Sequence, residues 1–112
     1  MNQLDESKYK DLTTSRNLKY HYFVKAPVSF PTALPTLLFL HGFPNHSGDW
    51  YHQATYFSQL GYKVIVPDLL GYARTDKPTD VKLYGMKGMT ADVKEILDAE
   101  GVEKAVVIGH DW

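Results

Sequence analysis

Three short apolar runs constrain this chain most: TLLFL at 36–40, YKVIVPD at 62–68 and KAVVIG at 104–109. Each has the length of a strand, and each is too uniformly apolar to leave one face in water. The gaps between them have room for a helix and a loop each time. Strand, helix, strand, helix, strand predicts a parallel sheet with helical crossovers. Sites in such sheets form at the carboxyl ends of the strands. The loops there read HGFPN after the first run and GHDW after the third.

The rest of the pattern fits around this unit. LKYHYFVK (18–25) alternates, with Leu18, Tyr20, Tyr22 and Val24 on one face and Lys19, His21, Phe23 and Lys25 on the other. That is strand period. TSRN before it can turn a hairpin with an earlier strand at about 9 to 14. Residues 1–8 read as a loose terminus, and residues 26–35, with three prolines, as a connection. In the first gap Ser47 is a candidate N-cap, Asp49 suits a first helical turn, and Trp50, Ala54, Phe57 and Leu60 mark a helix face that Gly61 ends. In the second, a helix over about 86–100 buries Met89, Val93, Ile96 and Leu97. Gly88 weakens its first turn and Gly101 stops it. Residues 9–112 thus make one domain.

Composition removes several classes. The 112 residues are 44% hydrophobic and 22% charged, which is ordinary for a folded domain. A net charge of -1, with no basic stripe, gives no pull toward nucleic acid. The chain has no cysteine, so disulfide and thiolate chemistry are excluded. No apolar run approaches the roughly 18 residues of a membrane span. The opening MNQLDESKYKDL is polar and does not read as a secretory signal, so a cytoplasmic location is the default expectation. His41, His46, His52 and Asp111 match no familiar metal-ligand spacing, and no cofactor is implied.

The chemistry concentrates at Asp111. In a Gly-x-nucleophile-x turn, a sharp strand-to-helix bend lifts the central side chain, and the next residue's N–H points at the reacting centre. Gly109, Asp111 and Trp112 occupy the first three of those roles. An aspartate, with an unperturbed pKa of about 3.9, is already an anion at neutral pH. It can attack an electrophilic alkyl carbon and form an alkyl ester, which water then hydrolyses at the aspartate's own carbonyl carbon. That second step develops an oxyanion and needs two fixed donors. An aspartate after a strand is also a common helix N-cap. Spacing alone leaves both roles open.

HGFP, YKVIVPDLLGYARTDKP and VVIGHDW, in that order, resemble the α/β-hydrolases, and the soluble epoxide hydrolases in particular. The resemblance implies the N-terminal half of an α/β-hydrolase fold: an antiparallel hairpin, then parallel strands with crossover helices, in an incomplete sheet. It implies Asp111 as nucleophile and the N–H groups of Phe43 and Trp112 as oxyanion donors. His41, Gly42 and Pro44 would shape the loop that aims Phe43, and Phe43–Pro44 is a candidate cis bond. Trp112 would also line the substrate pocket. The substrates implied are a small apolar epoxide and water. Two positions depart from the pattern: Leu70 where many relatives carry arginine, and Ala73 where many carry glycine. A positive φ at residue 73 would strain an alanine.

His41 and His110 read as loop-holding side chains, Asp68 as a loop anchor, and Trp50, Tyr51 and Phe57 as mostly core, with Trp50 or Tyr51 able to touch the pocket wall. The family also uses a water-activating histidine, an orienting acid and cap-domain tyrosines, all further along its chain. The 112 residues are therefore expected to be a fragment that is inactive alone. The last strand is expected to present an open apolar edge able to associate with a partner. A dehalogenase using the same aspartate is a second reading, disfavoured because Phe43 has no side-chain N–H to hold a halide. A non-catalytic truncated product is the third.

Overall fold

A computed structural model of the chain describes residues 3–27, 34–43 and 45–110. Strands β1 (Tyr9–Thr13) and β2 (Lys19–Lys25) form the expected hairpin, with Tyr9 opposite Phe23 and Thr13 opposite Lys19. The connecting turn uses Asn17 at φ 63°, a left-handed conformation that asparagine tolerates. Strands β3 (Thr36–Leu40), β4 (Val64–Pro67) and β5 (Ala105–Gly109) follow, separated by helices α1 (Tyr51–Gln59) and α2 (Met86–Ala99). The sheet order is β1-β2-β4-β3-β5. β4 pairs antiparallel with β2, whereas β3 pairs parallel with both β4 and β5.

Strand periodicity divides the core in two. Leu38 and Ile65 join Leu18, Tyr20, Tyr22, Val24, Leu70 and Ile96, so one face of the sheet is covered by α2. Leu37, Phe39, Val64 and Val66 point the other way, into a cluster with Leu4, Phe23 and Ala54 under α1. This is why both β3 and β4 read as continuous apolar runs: each is covered on both faces. The hairpin face predicted from Leu18, Tyr20, Tyr22 and Val24 enters the first cluster whole.

Four details differ from the sequence reading. Leu4 is buried in the second cluster and Glu6–Lys8 form a 3-10 turn, so the segment from residue 3 is docked on the domain and not loose. Ser47 is not a cap. His46 caps a 3-10 turn over Ser47–Trp50, its Nδ1 accepting the Gly48 N–H, and the Asp49 carboxylate accepts the His46 N–H. Leu60 is 53% exposed because α1 ends at Gln59 and the chain turns away before Gly61, at φ +100°. The second parallel strand is shorter than 62–68, spanning Val64–Pro67, although the Asp68 N–H still donates to the His21 carbonyl at 2.9 Å.

Gly88 has a specific function in the first turn of α2. A Cβ there would lie 2.6 Å from Nη1 of Arg16, so glycine admits the arginine that crosses from the β1–β2 turn. Arg16 donates from Nε to Asp92 Oδ1 at 3.0 Å, and Tyr20 donates its hydroxyl to Asp92 Oδ2 at 2.7 Å. Burial and the adjoining Asp92 carboxylate push the Tyr20 phenol far above its ordinary value. At the other end of α2, Glu100 accepts from Tyr22 at 2.7 Å and pairs with Lys10 at 3.2 Å. The hairpin is therefore fixed to α2 at both of these points and through Ser15, which donates to the Glu95 carboxylate between them.

β5 forms the edge of the sheet, paired with β3 alone among the described residues. Val106 and Val107 are 48% and 57% exposed. An apolar groove of about 600 Å³ runs between β5 and α2, lined by Leu40, Met86, Met89, Val93, Leu97 and Val107.

Candidate active site

The sheet order reverses at β3: the chain leaves it for β4 on one side and returns to β5 on the other. Register places Leu40 opposite Gly109, and the His110 N–H donates to the Leu40 carbonyl at 3.2 Å. The loop after β3 and the residues after β5 are thus side by side at the carboxyl edge. His41 and Gly42 are brought to the wall of one cavity with His110, and Phe43 follows them in the loop. Asp111, Trp112 and Pro44, with the Phe43–Pro44 bond, lie outside the described residues.

The loop after β3 is organised around one carbonyl. Gly42 O accepts the Asn45 N–H at 2.8 Å and the His41 Nδ1 at 3.0 Å. His41 Nε2 accepts the Leu69 N–H at 2.9 Å. Because Nε2 must present a lone pair, the imidazole is neutral and carries its proton on Nδ1. Only 2% of His41 is exposed, and burial pushes its pKa below the ordinary value. The Tyr72 ring meets it edge-on at 4.8 Å.

The Gly42 carbonyl and the Phe43 N–H belong to one peptide unit and point in opposite directions when that unit is trans. Holding the carbonyl from two donors therefore aims the Phe43 N–H away from them. Among the described residues that N–H has no hydrogen-bond acceptor. The Phe43 side chain is 73% exposed beside it. This is a backbone donor whose direction the Gly42 carbonyl sets and that has no acceptor among the described residues.

Asp68 serves as the predicted loop anchor. It is buried, its Oδ1 accepts the Ser47 N–H at 2.8 Å, and its carbonyl accepts Thr75 Oγ1 at 2.5 Å. The β4–α2 loop and the segment leading into α1 are thereby tied together beneath His41. Ala73 stands at φ 46°, in the left-handed region where the departure from glycine carries strain. Leu70 is buried in the α2-side core.

Sequence reasoning missed a small cavity of about 220 Å³ behind the loop, lined by Gly42, Asn45, Trp50, Gln53 and His110 among others. Trp50 reaches it while its ring packs, tilted, 5.0 Å from that of Phe39, so it is both core and wall; Tyr51 does not line it. No side-chain periodicity marks Asn45 or Gln53, since only folding brings them together.

A mixed sheet of this order, with two loops meeting at the carboxyl ends of β3 and β5, fits the α/β-hydrolase class. This chain belongs to that family, whose model matches residues 35–112. It is 44% identical over 78 residues to Epoxide hydrolase 3 of Siraitia grosvenorii, covering 70% of this chain and 25% of that one. It is 39% identical over 95 residues to Epoxide hydrolase 4 of Mus musculus, covering 85% and 25%. A solved epoxide hydrolase from Vigna radiata superposes with a TM-score of 0.79 at 30% identity, covering 98% of this chain and 33% of that one. The chain thus spans about a quarter of the curated relatives it matches and about a third of the solved one.

Proposed function

We propose that these residues form the nucleophile-bearing part of an epoxide hydrolase. The observation that carries this reading is the pairing of β3 with β5, which sets the start of the loop that bears Phe43 beside His110, the residue before Asp111, on a chain similar to epoxide hydrolases from plant and mouse. In the first step the Asp111 carboxylate attacks an epoxide carbon. The carbon–oxygen bond of the ring breaks, an alkyl ester of Asp111 forms, and the released oxygen takes a proton. In the second step water adds to the ester carbonyl, and collapse returns the carboxylate and releases a vicinal diol.

The oxyanion of the second step falls to the N–H groups of Phe43 and Trp112. Removing one such donor typically slows an enzyme by about 10²–10³. His41, Gly42 and Pro44 shape the loop. Activation of water and support of the epoxide oxygen belong to the larger share of the relatives' length that these residues do not span. On this reading the 112-residue chain turns nothing over alone. The test is diol formation from styrene oxide by a chain completed with the remaining part of an epoxide hydrolase. The expected result is diol release that Asp111→Ala abolishes; equal release from that variant overturns the assignment.

A further inference from the structure

We propose that a second cavity, between the N-terminal segment and the loop after β4, binds a compact primary ammonium group through the Asp68 carboxylate and the hydroxyls of Tyr9 and Ser47. The inference does not depend on the assignment of epoxide opening.

The cavity has a volume of about 270 Å³ and is lined by Glu6, Tyr9, His21, Ser47, Asp68 and Arg74 among others. That is below the roughly 300–1,000 Å³ of pockets for drug-sized ligands, so the occupant is compact. Asp68 is 2% exposed. Its Oδ1 accepts the Ser47 N–H at 2.8 Å. Among the described residues nothing donates to its Oδ2, and no cation pairs with the carboxylate. Buried carboxylates are ordinarily paired. The other charged groups at the wall are engaged: Glu6 pairs with Arg74 at 3.2 Å, and His21 Nδ1 meets Asp11 at 2.6 Å. Asp68 thus gives the cavity one unmatched negative charge.

The backbone donors at the wall are already used. The Ser47 N–H goes to Asp68, and the Gly48 N–H goes to His46 Nδ1 at 3.0 Å, which disfavours an anion. The acceptors keep capacity. Tyr9 and Ser47 share one hydroxyl hydrogen bond at 2.7 Å, and each oxygen has a further lone pair. Burial pushes the Tyr9 phenol up, against its hydrogen bond to Ser47, and the Asp68 and Glu6 carboxylates add to the rise. The hydroxyl therefore stays neutral. One carboxylate oxygen and two hydroxyl oxygens match the three N–H donors of an ammonium. A calcium ion takes roughly six to eight oxygen ligands. Among the described residues no group of three His, Cys, Asp or Glu could hold a metal ion.

The experiment is an NMR titration of the ¹⁵N-labelled 112-residue chain with methylammonium chloride, at an ionic strength held constant with sodium chloride. The expected result is saturable movement of the Ser47 and Gly48 amide resonances. Tetramethylammonium, which has the charge but no N–H, should leave them in place. N-acetyl-lysine amide carries the same group on a side chain; saturation by it too admits a partner's lysine, and saturation by methylammonium alone assigns the site to free small amines. Asp68→Asn keeps an oxygen for the Ser47 N–H and should weaken binding about ten- to a hundredfold, the scale of one hydrogen bond to a charged group. Tyr9→Phe should weaken it about two- to tenfold. Movement that does not saturate, equal movement with tetramethylammonium, or unchanged affinity in Asp68→Asn overturns the proposal. If that variant does not fold, unchanged affinity in Tyr9→Phe overturns it instead.

Discussion

Arg16 and Asp92 stand 76 positions apart in the chain and form an ion pair at the back of the domain, with the Asp92 carboxylate fully buried. The pair joins the β1–β2 turn to the middle of α2. The Arg16 guanidinium also donates to the Leu83 carbonyl at 3.1 Å, so one side chain satisfies a carboxylate and a turn together. Tyr20 supplies a further hydrogen bond to the same carboxylate.

Arg16→Ala is expected to destabilise the fold strongly. Removing one member of a buried pair costs about 3–5 kcal/mol, because the other charge is left uncompensated. Arg16 is 24% exposed at its side chain, which places the expected loss at the low end, about 3 kcal/mol. Urea unfolding followed by circular dichroism would read this as a lower midpoint at similar slope. An unchanged midpoint would show that water solvates Asp92 as well as arginine does.

Ala73 and Gly71 should respond in opposite ways to exchange. Ala73 is held at φ 46°, where a Cβ crowds the backbone at a cost of roughly 1–2 kcal/mol. Glycine removes that strain and gives back part of it as unfolded-chain entropy. Ala73→Gly should therefore stabilise by about 0.5–1 kcal/mol. Gly71, at φ +91°, lies where a Cβ would meet Tyr84 Cε1 at 2.9 Å. Gly71→Ala should destabilise by more than Ala73→Gly gains, and thermal melting of the two variants side by side checks both signs.

β3 and β4 were legible because each is covered on both faces, which suppresses alternation, and β5 read the same way although Val106 and Val107 stand exposed on it. The hairpin was legible for the opposite reason, since Leu18, Tyr20, Tyr22 and Val24 enter the core in strict alternation. Placement of β4 between β2 and β3 was not legible, because pairing partners are set by long-range contacts that no local pattern encodes. The Arg16 pairing left one readable trace. Asp92 sits on the buried stripe of α2 between Met89 and Ile96, and a carboxylate there demands a partner. At the site, the spacing of HGFP and GHDW pointed to two loops at one edge. Nothing in those letters shows that Leu69 supplies the N–H that fixes the His41 tautomer.

Val107→Lys is expected to reduce self-association. Val106 and Val107 sit exposed on β5, whose outer edge has no strand partner among the described residues. Such edges template intermolecular pairing, and lysine is a common means of blocking it. Light scattering during incubation at moderate concentration should rise more slowly for the variant, with the circular dichroism spectrum unchanged. Equal scattering would place the sticky surface elsewhere.

Stability should fall on mild acidification, and His41 should account for part of the fall. Burial lowers its pKa in the folded chain, while the unfolded chain has the ordinary value of 6.5. As pH drops through that value, the unfolded state takes up the proton first. Folding stability is therefore fully present above about 6.5 and declines below it, until the folded-state value is reached and the contribution levels off. Other groups also titrate on acidification, so the His41 contribution is read as a difference. Urea midpoints of the wild type and His41→Gln should diverge most at neutral pH and approach each other toward pH 5. Parallel curves across that range would mean that His41 takes up its proton in the folded state as readily as in the unfolded one, and that the Leu69 N–H does not hold it neutral.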